Sequence, residues 1–554
     1  MINKTNSEFL ADFVTNKSYP EDKSLLGFHI LSDNYGKKYA VFRVWAPCAK
    51  KVFLVGDFNN WQDSNPMKKC DGGIFEATLP YHRIFSGQNY KFKIETEKGK
   101  LLFKSDPYAL HCEAEHEGAS KIFLSPPYFW HDDGYISYRK KLFAVNGKDI
   151  PLNIYKITLS GKPFSSISDE YVPYLKQMGY THLQIIWKAS SFSPQAISGT
   201  PDDFKRFVDT FHGAGLGVIL EWSPNKIDIC DNGLCEFDGT PIYEAVCDDE
   251  PIFNFQCKNV RELLTQNALY LINEFHIDGL YCDLCDILKH DEMCENSVLE
   301  FYSNLNRLIA VSHHDVFTVA KAPSRIKDIT DKNGIGFTFS RDRRIEKEIV
   351  SMSTDILPVF QDRLISLSDN SCFIKKFSEK EDRFAISRLM LSCMMLLPGK
   401  KLTFHGCEIC SEKEDENGVQ WHILADENHK KHQLFVRDLN ALYLSFPILW
   451  QNEAVLLTQV HSENLLSFVR INKTDGAYKE LTVVINFGQQ EVFDVEIKTS
   501  KANQLKKVFS SAYKKENTHE TFTVLHNSDR QHYIKPNIPP MSVSVFAPTS
   551  QENI

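Results

Sequence analysis

The spacing of apolar and polar positions divides the chain into three rhythms. In the first, short runs of period two recur: YAVFRVWAP (Tyr39–Pro47), KVFLVGDF (Lys51–Phe58), GIFEATLP (Gly73–Pro80) and QNYKFKIET (Gln88–Thr96). Asn, Gly, Asp and Pro punctuate them, which predicts a compact β-sandwich with exposed turns. From Pro151 to Pro447 the rhythm becomes strand, helix, strand. Apolar runs begin at Leu152 (LNIYKI), Thr181 (THLQII), Gly217 (GVILEW), Gly279 (GLYCDL), Val316 (VFTVA), Gly336 (GFTF), Arg363 (RLISLS) and Lys401 (KLTFHG). Amphipathic segments such as SDEYVPYLKQMG, PDDFKRFVDTFHGAG and NVRELLTQNALYLINEFH lie between them. Eight short strands alternating with helices predict an α/β fold built on a (β/α)8 TIM barrel. After about residue 450, VHSENLLSFVRIN, KELTVVINFG, EVFDVEIKT, TFTVL and SVSVFAP return to short strands and predict a C-terminal antiparallel β domain. The expected organisation is a tail at 1–20, a sandwich at 21–125, a linker at 126–150, the barrel at 151–447 and a C-terminal β-sandwich at 448–550.

Barrel chemistry gathers at the C-terminal ends of the strands, where the following loops converge. Those positions are Glu221, Asp283, Lys321 and the stretch Asp369 to Ser371. No G-x-G-x-x-G follows an early strand, and neither a P-loop nor an H-E-x-x-H occurs. The simplest signals for nucleotide binding and zinc proteolysis are therefore missing.

Composition narrows the picture further. Apolar residues make up 42% of 554 residues, enough for large cores and too many for a disordered chain. The net charge of -9 is spread out, and no Lys/Arg block of six or more occurs, so neither nucleic acid nor a membrane surface is an expected partner. The opening MINKTNSEFLADF has no continuous apolar core, and the most apolar helical run, Leu389 to Gly399, is too short to span a bilayer. A cytoplasmic location is expected. Fourteen cysteines in so long a chain point to a reducing compartment rather than a disulfide scaffold. Two C-x-x-C pairs, Cys282/Cys285 and Cys407/Cys410, leave two readings open: a four-thiolate zinc site or buried free thiols. Alternation sends Cys282 and Asp283 to opposite faces of their strand. No dedicated metal or organic cofactor is expected.

The order of these motifs resembles the 1,4-alpha-glucan branching enzymes of glycoside hydrolase family 13. FRVWAP, VGDFNNW, YKFKI and KSDPYA are similar to a family-48 carbohydrate-binding module. PLNIYKI, YLKQMGYTHLQI, GTPDDFKRFVDTFHGAGLGVILEW, FDGTPIYE, PGKKLTFHGCE and VQWHIL are similar to the barrel of that family. The resemblance implies cleavage of an alpha-1,4 bond and transfer to an alpha-1,6 linkage. A retaining site of this kind needs a carboxylate nucleophile and an acid/base carboxyl, about 5 to 5.5 Å apart.

Set against that pattern, the site residues have changed. Asp283 in GLYCDLCDIL retains the nucleophile position, but Tyr281 stands where the family has an arginine. Tyrosine keeps one hydrogen-bond donor and loses the charge. Lys321 in FTVAKAP takes the acid/base glutamate position; a reference pKa near ~10.4 suits neither half of that cycle. In LISLSDNSC, Asn370 and Ser371 align with a family histidine and the third carboxylate, and a shifted alignment offers Asp369 or Asp362 instead. EWSPNK replaces a DWVPGH-like segment, which turns an aspartate into Glu221 and a histidine into Lys226. The loop after the second strand omits an aromatic stretch of the family's sugar platform. These changes imply a branching-enzyme-like protein without catalysis, whose partner is an alpha-1,4-glucan (glycogen, starch or amylose-like) or a glycogen-metabolising protein. The alternative is an active enzyme with a displaced acid at Glu408 or Asp286. A thiol nucleophile at Cys285 or Cys407 lacks a recognisable Cys-His-Asn arrangement, although His405 lies near Cys407. In the N-terminal module, Trp61 either packs in its turn or stacks on sugar. Lys104 either bonds a sugar hydroxyl or is solvated.

Overall fold

The computed structural model describes residues 26–549, except 114–117, 159–160, 188–191, 195, 248–249, 290–291, 343–362, 367–382, 398, 412–417, 452–454, 463, 475–476, 500–501, 513–519, 527 and 529–530. Two antiparallel sheets come first. One orders Gly27–Ser32, Lys38–Trp45, Ile74–Pro80 and Lys68–Lys69; the other is built from Ala49–Gly56, Asn89–Thr96, Leu101–Lys104 and Ser120–Lys121. Alternation puts Phe42, Tyr90 and Phe92 inside, and the rings of Phe42 and Tyr90 meet across the two sheets at 5.2 Å.

The eight predicted runs close into a parallel barrel whose strands pair in chain order: Asn153–Lys156, His182–Trp187, Gly217–Trp222, Gly279–Asp283, Phe317–Lys321, Phe339–Asp342, Arg363–Ile365 and Lys400–Phe404. The last strand pairs with the first, Thr403 opposite Tyr155. Local chemistry explains the helix starts. In GTPDDF, Thr200 accepts the Asp203 amide while the Asp203 carboxylate takes the Thr200 amide, and Pro201 occupies the first helical position of Pro201–Gly213.

The sixth strand begins at Phe339, three residues later than the start of GFTF suggests. Gly336 sits at φ 79°, Phe337 donates to the Ile329 carbonyl and Asn306 holds the Ile335 carbonyl, so the backbone before Thr338 is committed to a turn. The shift matters because it carries Arg341 to the mouth of the barrel.

Residues 126–150, expected as a linker, contain the helix Asp133–Asn146, docked on the foot of the barrel. Its Arg139 donates to Asp278 at 2.9 Å and to Asp315 at 2.8 Å, and Tyr135 donates to Asp278 at 2.9 Å. Asp132, just ahead of the helix, receives His212 and His276.

After the helix Glu427–Ser445 the chain enters a six-stranded antiparallel sheet backed by a three-stranded one. Leu465, Val484, Leu505 and Phe546 pack with Ile497, Ile534 and Ile538. Of the run EVFDVEIKT, only Ile497–Lys498 is a strand. Among the described residues no helix is long and apolar enough to cross a membrane.

Candidate active site

The fourth strand aims Tyr281 and Asp283 into the barrel and Cys282 outward, where its thiol is buried against Tyr302. Asp283 stands at the strand end, partly exposed, and its register partner on the fifth strand is Lys321. The Lys321 ammonium donates to Asp283 Oδ2 at 2.6 Å, with 18% and 23% of the two side chains exposed. The other oxygen, Oδ1, accepts the Cys285 amide at 3.0 Å. The Asp283 backbone is fixed as well: its N–H donates to Ser223 Oγ at 2.8 Å, and its carbonyl accepts Asn225 Nδ2 at 2.7 Å.

Around this pair the mouth is polar and internally bonded. Glu221, at the end of the third strand, takes an ion pair from Lys156 on the first and a hydrogen bond from Gln184 on the second at 3.0 Å. Tyr281 is fully buried, and its hydroxyl accepts Arg341 Nη1 at 2.8 Å. Burial raises the Tyr281 pKa, while the Arg341 guanidinium pulls it down; the net direction is upward. Arg341 also donates to Ser366 Oγ through Nε and Nη2. Arg341 therefore places a positive charge beside Tyr281 from the sixth strand.

The sequence-derived site residues separate into groups. Asp283, Lys321, Glu221 and Tyr281 converge at the mouth. Lys226 turns to solvent and pairs with Glu250. Asn370 and Ser371 lie outside the described residues, as do Asp362 and Asp369. Glu408, one of the two displaced-acid candidates, is withdrawn from the mouth. It is fully buried, and Oε1 accepts the hydroxyls of Tyr155 at 2.7 Å and Tyr174 at 3.0 Å. Burial pushes its carboxyl up to about 7, against the pull of those tyrosines. Asp286 is exposed beyond the strand end.

Lys104 corrects both of its expected roles. It is only 2% exposed, and its ammonium donates to the Cys235 carbonyl at 2.8 Å, so it seats the N-terminal module on the loop after the third strand. The same junction holds Cys48 N–H on Asp238 at 2.8 Å, Ser105 N–H on the Asn232 carbonyl at 3.0 Å, and Gly239 (φ 90°), where a Cβ would lie 2.5 Å from Thr96. Trp61, in contrast, is 39% exposed, in a left-handed turn, with its indole N–H on Asp57 at 2.9 Å. Asn59 ties that turn together through Leu54, Gln62 and Asn65, which accounts for the polar letters of DFNNW. Cys282, Cys407 and Cys410 are buried thiols outside any disulfide, and Cys285 is half-buried at the mouth. Among the described residues no group of three or more His, Cys, Asp or Glu is placed to hold a metal ion.

Comparison with known proteins agrees with this fold. Residues 25–109 match carbohydrate-binding module 48 (isoamylase N-terminal domain), and 458–549 match the alpha amylase C-terminal all-beta domain. The 1,4-alpha-glucan branching enzyme of Fusobacterium nucleatum is 30% identical, over 81% of this chain and 84% of its own length. The chain belongs to the 1,4-alpha-glucan branching enzyme family. Its counterpart in Oceanobacillus iheyensis is 28% identical over 95% of both chains. Two solved structures share the fold: the pullulanase type I of Bacillus subtilis (TM-score 0.72, 13% identity, 97% of this chain and 87% of that one) and a putative alpha amylase of Salmonella typhimurium (TM-score 0.69, 15% identity, 95% of this chain and 100% of that one).

Proposed function

We propose that this family member binds alpha-glucan, or a protein that handles glycogen, without forming branches. One observation carries the reading: the ammonium of Lys321 rests on Asp283 Oδ2 at 2.6 Å, where the family pattern calls for an acid/base carboxyl. A retaining site holds its two carboxyl groups about 5 to 5.5 Å apart so that the glycosidic oxygen fits between them. A contact of 2.6 Å leaves no room for that oxygen, and lysine supplies no carboxyl. Loss of one of the two groups removes several kcal/mol of transition-state stabilisation.

The partners of the substituted residues support a rebuilt site over an eroded one. Lys321 has Asp283, Glu221 has Lys156 and Gln184, Tyr281 has Arg341, and Ser223 and Asn225, which stand in place of apolar or glycine positions in the DWVPGH-like segment, hold the Asp283 backbone. Glucan affinity is assigned to the N-terminal module, with the exposed ring of Trp61 stacking on a sugar face. An active enzyme with a displaced acid is the second reading; the burial of Glu408 between two tyrosines counts against its simplest form.

The test incubates the purified chain with amylose and counts new alpha-1,6 linkages after debranching, beside Asp283→Asn. The expected result is no linkage above the variant, with retention on an alpha-glucan column that Trp61→Ala weakens about tenfold, an effect of roughly 1.4 kcal/mol. Branching that disappears in Asp283→Asn overturns the inactive reading. Retention indifferent to Trp61→Ala overturns the assignment of that ring.

A further inference from the structure

Without branching activity, Asp283 is still held at its backbone and at one carboxylate oxygen. Asp283 is pinned at its N–H by Ser223, at its carbonyl by Asn225 and at Oδ1 by the Cys285 amide. Two of these bonds fix the backbone and the third fixes one carboxylate oxygen, while the side chain keeps 23% exposure at the barrel mouth. A carboxylate fixed in this way needs little reorganisation to attack, the condition under which preorganised groups act best. The oxygen left for chemistry, Oδ2, is the one covered by Lys321.

Resting on the inactive reading, we infer that Lys321 is an internal mask and that Asp283 retains a latent glycosyl-transfer activity. That activity is toward alpha-glucosyl donors whose leaving group departs without an acid. The retaining reaction makes two separate demands. Transfer from a glucan needs a proton for the departing sugar oxygen, which Lys321 does not provide under this reading. A glycosyl fluoride makes no such demand, because fluoride leaves as the anion.

The steps balance without any further co-reactant in the first half. An Oδ2 lone pair of Asp283 attacks the anomeric carbon; the C–O bond forms as the C–F bond breaks, and fluoride leaves with its electron pair. The product is a glucosyl ester of Asp283 with inverted configuration. Azide then attacks the same carbon, the ester C–O bond breaks, and the electron pair returns to the carboxylate. Two inversions give an alpha-glucosyl azide. Azide is already an anion, so no base is required. Removing the Lys321 side chain frees Oδ2 and opens the length of a lysine stem beside it, while the three bonds that hold Asp283 come from other residues.

The test measures fluoride release from alpha-maltosyl fluoride with azide present, in the full-length chain. Lys321→Ala should release fluoride at least about tenfold faster than the native chain, equivalent to about 1.4 kcal/mol of barrel-mouth barrier, and yield the alpha-azide. Lys321→Ala with Asp283→Asn should fall to the uncatalysed rate. Lys321→Gln, which keeps an uncharged polar stem, provides the same comparison if the alanine variant does not fold, with the melting transition of each variant as the check. Release by a folded Lys321 variant no faster than by the double variant overturns the inference. A native chain as fast as Lys321→Ala overturns it too, since Lys321 would then mask nothing. Neither result touches the inactive reading, which fails only if the native chain branches amylose.

Discussion

The strand Gly279–Asp283 has an aspartate at each end, and the two are held in opposite ways. Asp278, just before it at the foot of the barrel, is completely buried. Its oxygens accept Tyr135 and Arg139 at 2.9 Å, the Val218 amide at 2.6 Å and His212 at 3.0 Å. Burial alone would raise its pKa, but His212 and Arg139 overcome that and hold the carboxyl well below the ordinary range. Asp283, at the mouth, has one cation, one amide and access to water. The foot binds three segments far apart in sequence into one body; the mouth holds a single group in one orientation. A carboxylate with four satisfied bonds in a dry site is structural. One with a single removable cation at a rim is suited to chemistry or its suppression.

The comparison breaks most sharply on Asp278→Ala. That change strands Arg139 and His212 without their shared counter-charge and should cost about 3–5 kcal/mol, seen as a large drop in the denaturation midpoint. An effect near that of a surface mutation would mean that the foot is not the rigid end.

Next in size is the dependence on pH. His212 is buried, which lowers its pKa, but its two ring nitrogens face Asp278 and Asp132, and the net direction is upward. Its contribution is therefore full below its unfolded value near ~6.5 and declines as pH rises through the raised folded value. Asp132 is lowered despite burial, by His212 and His276. Asp132 and Asp278 then contribute above about pH 4 and lose that contribution as pH falls toward their depressed values. Stability should peak between those limits and fall on both sides, and His212→Gln should flatten the alkaline limb in a melting series. An alkaline limb unchanged in that variant would place its origin elsewhere.

The smallest effect belongs to the mouth. Lys321→Ala should change stability by about 1 kcal/mol or less, because the pair is partly solvated and water can replace either member. A loss comparable to that of Asp278→Ala would make the pair a structural clasp and remove the contrast between the two ends.

Much of the barrel was legible because its strands announce themselves by short apolar runs between amphipathic helices, and seven of the eight begin within a residue or so of those runs. The sixth did not. GFTF has the composition of a strand, but a turn bonded to Ile329 and Asn306 takes its first half. With the strand placed too early, nothing in the sequence marks Arg341 as a mouth residue, though the expectation of an arginine where Tyr281 stands was a signal to look for a cation elsewhere. Lys156 was equally hidden, as the last residue of an apolar strand whose charge has meaning only beside Glu221. Lys104 misled because a lysine in a polar motif is usually solvated, and its burial depends on a loop 131 residues away.

The sequence alone determined the order and period of the elements, the α/β class and the positions of Asp283 and Lys321 at neighbouring strand ends. Local spacing settles which face of a strand a side chain takes, and the barrel rule settles which end is the mouth. Tertiary structure decided the rest: Arg341 finds Tyr281 across 60 residues, Glu408 retreats to Tyr155 across 253, and Asp132 at the start of a supposed linker meets His212 across 80. Those contacts exist only once the barrel has closed and its neighbours have docked, because charge and hydrogen bonding act over a few ångströms, whatever the distance along the chain.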